Sequence, residues 1–520
     1  MLADYQPLET FDELVDWPDA SGGRPARRAA RALAEHLATI GRDELAIRQD
    51  LAAHSIEASG ISFTVYSEGV GIDRAWPFDI VPRVIEGTEW DRIEAGLIQR
   101  LTALNRFIGD IYGARSCIAD GVVPAELIEG SKGYRPECQG MEPPAGVWAH
   151  VCGSDLVRGA DGEMYVLEDN LRVPSGASYL LTNRLVTKRV FAELFANQSI
   201  RPVDAYPDRL LRILASVAPG TAGAGAGAPH PNVVLLTPGI YNSAYFEHSF
   251  LARQMGIALV EGRDLFVEDD VVYAYTIDGP ERVDVIYRRV DDLFLDPSVF
   301  RPDSVLGCPG LMAAWRAGNV TIANAPGTGV ADDKAVYAFA PDLIRYYLGQ
   351  EPILANVPTW WCGRPDQKAE VLARLPELVV KPTGESGGYG IVIGPRATPA
   401  ELAACADAIE ADPAGWVAQE TILLSTVPTW CDGELAPRHV DLRPFTLQGR
   451  DSYVTCGGLT RVARQAGSLV VNSSQGGGSK DTWVVDLVRP EGPLVAGLDE
   501  AVRAAGAGGG DGGTAGEGRP

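Results

Sequence analysis

His150-Val-Cys-Gly-Ser-Asp155-Leu-Val-Arg-Gly-Ala-Asp-Gly162-Glu-Met-Tyr-Val-Leu-Glu168-Asp169-Asn170 reads as a β-hairpin with chemistry at one end. Gly159-Ala-Asp-Gly162 supplies the turn, so opposed positions sum to about 321 and Asp155 is expected to face Val166. Strand side chains alternate, which puts Glu168 and Asn170 on the face of Asp155 and turns Asp169 away. Two carboxylates and an amide oxygen on one face form a hard-oxygen set suited to Mg²⁺ that also holds substrate phosphates. A solvated polar strand end has the same spacing, so the hairpin alone does not decide between the two.

Downstream, Leu378-Val-Val-Lys381-Pro-Thr-Gly384-Glu-Ser-Gly387-Gly388-Tyr-Gly390-Ile-Val-Ile393 places a glycine-rich loop between two β-branched strands, with Lys381 at the exit of the first. Glycines let backbone amides approach phosphate oxygens, and the ammonium neutralises their charge. A Walker A loop and a dinucleotide fingerprint both open a helix, whereas a strand follows here. A plain flexible hairpin remains the competing reading. Trp416-Val-Ala-Gln419-Glu420 reads as a strand whose carboxylate could meet a ribose hydroxyl, and Gly327-Thr-Gly-Val-Ala-Asp332-Asp-Lys334 as the start of a helix with an acidic first turn.

Other polar stretches admit bland and functional readings alike. Asp441 and Arg443 share one face of a strand and could form a structural ion pair. Tyr287-Arg288-Arg289-Val290-Asp291-Asp292 is a solvated charge run or an anion contact, and Asn472 to Asp481 a plain loop or a mobile cover over a site.

The 520 residues carry 45 Lys and Arg against 69 Asp and Glu, a net charge of −24. That balance argues against nucleic acid or an anionic membrane held by broad electrostatics. No apolar run reaches the eighteen or so residues of a membrane span, so a soluble cytoplasmic protein is expected. Eight scattered Cys and six scattered His offer no CxxC, HExxH or HxxxH, which removes a zinc ribbon or hydrolytic zinc site. The expected organisation is a loose leader (1–23) within an N-terminal segment 1–60 whose helix runs from Arg24 to about His54 through Leu33, Leu37, Ile40, Ile47 and Leu51. Then come an α+β part with the hairpin at 61–218, a Gly/Ala/Pro linker at 219–231, a βαβ unit with a small parallel sheet at 232–330, the Gly-loop part at 331–484, and a flexible tail at 485–520, an α/β (α+β) chain as a whole.

The order of these motifs resembles the circularly permuted ATP-grasp proteins of type 2, which are similar to the synthetase part of glutathionylspermidine synthase. The resemblance runs from about Ile61 to Trp483 and is strongest in Tyr165–Gly176, Asn356–Gly363, Val380–Pro382 with its Gly loop, and His439–Phe445. In ordinary ATP-grasp enzymes the lysine and Gly loop precede the metal carboxylates, and here Glu168 comes first. The resemblance implies that Asp155, Glu168 and Asn170 hold Mg²⁺ and that Lys334 and Lys381 contact ATP phosphates. Gly384, Gly387, Gly388 and Gly390 would cover those phosphates, and Gln419 and Glu420 would meet the adenosine. The implied activity is amide ligation through an acyl phosphate, on small-molecule or peptide carboxylate and amine substrates. Arg443, ahead of Arg172 and Arg288, is the candidate carboxylate anchor. The spermidine-conjugating relatives carry an Arg two residues before the metal Asp, and Gly153 stands there, so their substrates are not transferred. A non-catalytic ATP-binding partner of a larger assembly and another ATP-dependent phosphoryl-transfer enzyme are the alternatives.

Overall fold

The computed structural model describes residues 2–487 apart from 19–22, 68–69, 221–229, 385–389 and 472–476. Most of the linker and nearly all of the expected tail therefore lie outside the described residues. A ten-stranded mixed sheet forms the centre. Its main path runs through Ala355–Asn356, Met164–Asn170, Val151–Arg158, Glu434–Arg443, Leu459–Val462, Gly478–Val485 and Phe78–Glu86. Strands far apart in the chain are thus neighbours, and the metal-type hairpin sits beside the strand that carries Asp441 and Arg443.

Against this sheet packs the helix Gly87–Tyr112, whose Trp90, Ile93, Leu97, Leu101, Leu104 and Ile108 recur at three- and four-residue steps and are buried. A second, antiparallel sheet of order Thr359–Trp361, Trp416–Glu420, Leu378–Pro382 and Val392–Ile393 carries the Gly loop. It is backed by Pro365–Arg374 and Pro399–Ala411, with Val371, Cys405 and Ile409 in its own small core. The third sheet is parallel: Val233–Leu236 pairs with Ala258–Val260 through the helix Tyr245–Met255, and with Val285–Arg288 on its other side. That is the expected βαβ unit.

Three expectations need correction. The leader is not loose: Tyr5, Leu14 and Val15 are buried, and the Glu13 carboxylate accepts from Arg83 at 2.6 and 2.7 Å, from Arg158 at 3.1 Å and from Ser425 at 2.6 Å. Its acids looked solvated because their arginine partners lie far away in sequence. The single helix from Arg24 is two, Arg31–Thr39 and Arg42–Ala58, broken at Ile40 and Gly41. The second buries Leu45, Ala52 and Ile56 while Ile47 and Leu51 stay exposed. Finally, Gly478–Val485 is a strand, so Lys480 and Asp481 belong to the core instead of a loop. Lys480 Nζ donates to Asp79 and to the carbonyls of Val81 and Pro428, and Asp481 pairs with Arg184 at 2.8 Å. The remainder of that expected cover, 472–476, lies outside the described residues.

Candidate active site

Between the central sheet and the Gly-loop sheet lies a cavity of about 520 Å³. The hairpin contributes Asp155, Glu168 and Asn170 to its wall, and the neighbouring strands add Asp441, Arg443 and Arg461. Lys381 and Gln419 face it from the Gly-loop sheet, and Lys334, the first residue of the helix Lys334–Leu348, closes the side. Val379, Ile393, Ile422 and Leu469 add apolar lining. Residues from four distant stretches therefore converge.

The hairpin register differs from the expected one. Leu156 faces Val166, and a shift between Asp155 and Leu156 brings Asp155 directly opposite Glu168. An extra residue in the second strand, Leu167, accounts for the shift. Asp155 and Glu168 are consequently closer than the simple hairpin predicts, and Asp169 points to the other face as expected.

Arg443 grips the Asp155 carboxylate with two donors, at 2.5 and 2.7 Å, and Arg461 adds a third at 2.6 Å. Burial alone would raise the pKa of Asp155, but the two guanidinium groups hold it well below the ordinary carboxylate range. Glu168 moves the other way: burial and then the charge of Asp155 raise its pKa, and Lys334, Lys381 and Arg443 offset this only in part. Asp441 pairs with Arg461, its cross-strand neighbour, and not with Arg443. Arg461 was missed because one arginine in an apolar strand carries no motif.

Lys381 Nζ donates to Gln419 Oε1, and Gln419 Nε2 donates to Thr359 Oγ1 at 3.1 Å and to the Leu167 carbonyl at 3.3 Å. The Gln419 amide thus ties Lys381 to the hairpin. Burial lowers the Lys381 pKa to about 8, with Lys334 pushing the same way and Glu168 opposing. Glu420 lines the cavity with both carboxylate oxygens 3.0 Å from Arg374. Gly384 also lines it. A Cβ there would lie 2.9 Å from Lys132 Cδ, so glycine makes room for a lysine that sequence reading overlooked. Gly390 adopts φ +72° beside Pro382 outside the cavity lining, and Gly387 and Gly388 lie outside the described residues.

The expected carboxylate anchors have other partners. Arg443 is taken up by Asp155. Arg288 is buried on the carbonyls of Asn324, Val290 and Ala325 and on Asp292, and Arg289 is likewise internal, bound to the 173–175 segment and to Glu247. Arg172 does reach the cavity, one-third exposed, paired with Asp332 at 2.8 Å.

Residues 82–463 match the profile of the family described as circularly permuted ATP-grasp type 2. The chain belongs to that family. An uncharacterized protein of Synechocystis sp. is 51% identical over 485 residues, covering 93% of this chain and 98% of that one. An uncharacterized protein of Mycobacterium tuberculosis H37Rv is also 51% identical, over 91% of this chain and 84% of its own. A Frankia alni protein that bears the provisional name glutamate–cysteine ligase is 44% identical over 93% of this chain, which spans 54% of it. Among solved structures, a glutathione synthetase-like effector of Globodera pallida in apo form superposes with a TM-score of 0.56 at 12% identity, over 86% of this chain and 98% of that one. That likeness concerns the fold. In this ATP-grasp protein the hairpin carboxylates precede the Lys381 loop in the chain, the permuted order, and the tertiary fold brings the two to the wall of one cavity. No helix among the described residues is long and apolar enough to cross a membrane.

Proposed function

We propose that the protein is an ATP- and Mg²⁺-dependent ligase that joins a carboxylate to an amine through an acyl phosphate. One observation carries the reading: Glu168 and Asn170, beside a guanidinium-held Asp155, line the same cavity as Lys334 and Lys381, whose charges act on Glu168. Its apolar lining residues suit a purine, and its lysines and arginines a triphosphate.

The donor set fits a hard divalent cation. Among the described residues no three His, Cys, Asp or Glu side chains converge on a metal position, so the carboxylates need the Asn170 amide oxygen beside them. Asn170 lines the cavity, and its Nδ2 donates to the Gly153 carbonyl at 3.1 Å, so the amide nitrogen is occupied by the backbone. Few protein ligands with several positions left for phosphate and water is the pattern Mg²⁺ takes. Glu168, Asn170 and the lone pairs that the arginines leave on Asp155 would hold the ion. When bound, it supplies neutralising charge to the phosphoryl oxygens.

The residues of the chain do the rest. Lys334 and Lys381 bind the phosphates and stabilise charge on the transferring group, and Gln419 holds the Lys381 ammonium in place. An oxygen of the substrate carboxylate attacks the γ-phosphorus as the bond to the bridging oxygen of ADP breaks. The amine then attacks the acyl carbon, inorganic phosphate leaves, and the amine proton is released. Positioning and electrostatics suffice for this chemistry, and no protein nucleophile is required. The name of the Frankia protein belongs to a longer chain, of which this one spans 54%, so its two amino acids are not adopted as substrates.

The test is ADP release from Mg-ATP in the presence of fractionated carboxylate and amine metabolites, with hydroxylamine to trap an acyl phosphate. ADP together with a hydroxamate in one fraction is expected. A stable phosphorylated product with no amide, or ATP binding without turnover in every fraction, would overturn the ligase reading.

A further inference from the structure

Beneath the strand that carries Glu168 and Asn170 lies a buried ion pair with no part in the chemistry above. Strand alternation turns Asp169 to the far face, where its oxygens accept from Ser154 Oγ at 2.8 Å and from Arg100 Nε at 2.7 Å. The Arg100 and Asp169 side chains are each 2% exposed. Arg100 Nη1 donates to Asn356 Oδ1 at 2.6 Å, and Asn356 Nδ2 donates to the Tyr337 carbonyl at 2.9 Å. Tyr337 Oη donates at 2.5 Å to the carbonyl of Val166, and its ring lies 5.3 Å from the Arg100 guanidinium. Val166 belongs to the same strand as Asp169, so the circuit closes on itself.

We propose that this ring is a positioning device, and that Arg100 and Asp169 set the aim of Glu168 and Asn170 at the metal. The inference rests on the ligase site described above. Asp169 lies between the two ligands in sequence, so any displacement of its backbone tilts both. The ring also refers them to a fixed point: Tyr337 is within one turn of Lys334 on the helix Lys334–Leu348. Stability is a poor account of the pair. Buried ion pairs are often no better than apolar packing, and Arg100 Nη2 is buried with no hydrogen-bond partner among the described residues. Groups behind a metal ligand act on its geometry and basicity.

The test measures, on the full chain, how much Mg²⁺ tightens ATP binding, by titration calorimetry with and without the metal. Wild type is expected to show a clear gain and Glu168→Ala to lose it. The double variant Arg100→Met/Asp169→Asn removes both charges together, so no buried charge is stranded. It is expected to lower the gain about tenfold while metal-free ATP binding stays nearly unchanged. A double variant with wild-type near-UV circular dichroism and an undiminished gain overturns the ring alone. Absence of ATP binding by wild type overturns the ligase site and this inference with it. Should the double variant not fold, Ser154→Ala decides: losing one hydrogen bond to Asp169 is expected to reduce the gain roughly threefold, and an unchanged gain overturns the proposal.

Discussion

Asp155 stands opposite Glu168 across the hairpin, yet the two carboxylates are held in different ways. Asp155 receives three short guanidinium contacts, whereas the nearest Arg443 nitrogen is 3.9 Å from Glu168. One carboxylate is clamped by arginines and the other is not.

Glu168→Gln is expected to reduce Mg²⁺-dependent ATP binding at least about tenfold, since a neutral amide replaces a charged oxygen ligand. Its melting temperature should equal or slightly exceed that of wild type, because burial and Asp155 already oppose the Glu168 charge. Calorimetry and thermal unfolding check both halves. A variant that binds Mg-ATP normally would remove Glu168 from the metal site.

Lys381 titrates near 8, so its charge is present below that pH and lost above it. ATP affinity should be level up to about pH 7 and fall as pH rises through 8, with proton uptake on binding near the midpoint. Titrations in buffers of different ionisation enthalpy detect that uptake. In Lys381→Arg the decline should vanish, because the guanidinium stays charged across the range.

Lys132 lies against Gly384 on the cavity wall although it comes from a segment with no recognisable motif. Lys132→Ala should weaken ATP binding by about three- to tenfold, as expected of a cation acting on phosphate. Adding salt should narrow the difference between variant and wild type. Equal affinities at low salt would remove Lys132 from the site.

Glu13→Gln leaves Arg83 and Arg158 buried with a weakened partner, and should cost about 3–5 kcal/mol of stability. In wild type, burial opposes the Glu13 charge, but Arg83 and Arg158 prevail and lower its pKa from 4.5 to about 2. A depressed carboxylate contributes its stability fully above the unfolded value and loses it as pH falls toward the folded one. Wild type should therefore lose stability between about pH 5 and 2, with a shallower loss in Glu13→Gln over that window. Denaturant melts at pH 7, 4 and 3 would show it, and parallel curves would sink the assignment.

Local pattern was enough for several elements. The stretch from Val233 to Val260 reads as strand, helix and strand, which predicts a parallel pair, and the structure has it. The alternation of Glu168, Asp169 and Asn170 correctly separates the two faces of their strand. What failed was anything that depends on a partner distant in the chain. Ile47 and Leu51 fit a helical stripe, but the neighbouring elements cover Leu45, Ala52 and Ile56 instead. The hairpin turn alone could not reveal the extra residue at Leu167.

The amino-acid sequence by itself determined the order of the chemistry-bearing segments, and with it the permuted family, because side-chain type and short-range periodicity are properties of contiguous residues. Only the tertiary structure decided which charges meet. Arg443 and Arg461 clamp Asp155, Gln419 serves Lys381, Glu13 neutralises Arg83, and Lys132 reaches the Gly loop. Coulomb attraction and desolvation depend on distance and burial, and in a folded chain these are set by sheet neighbours hundreds of residues apart.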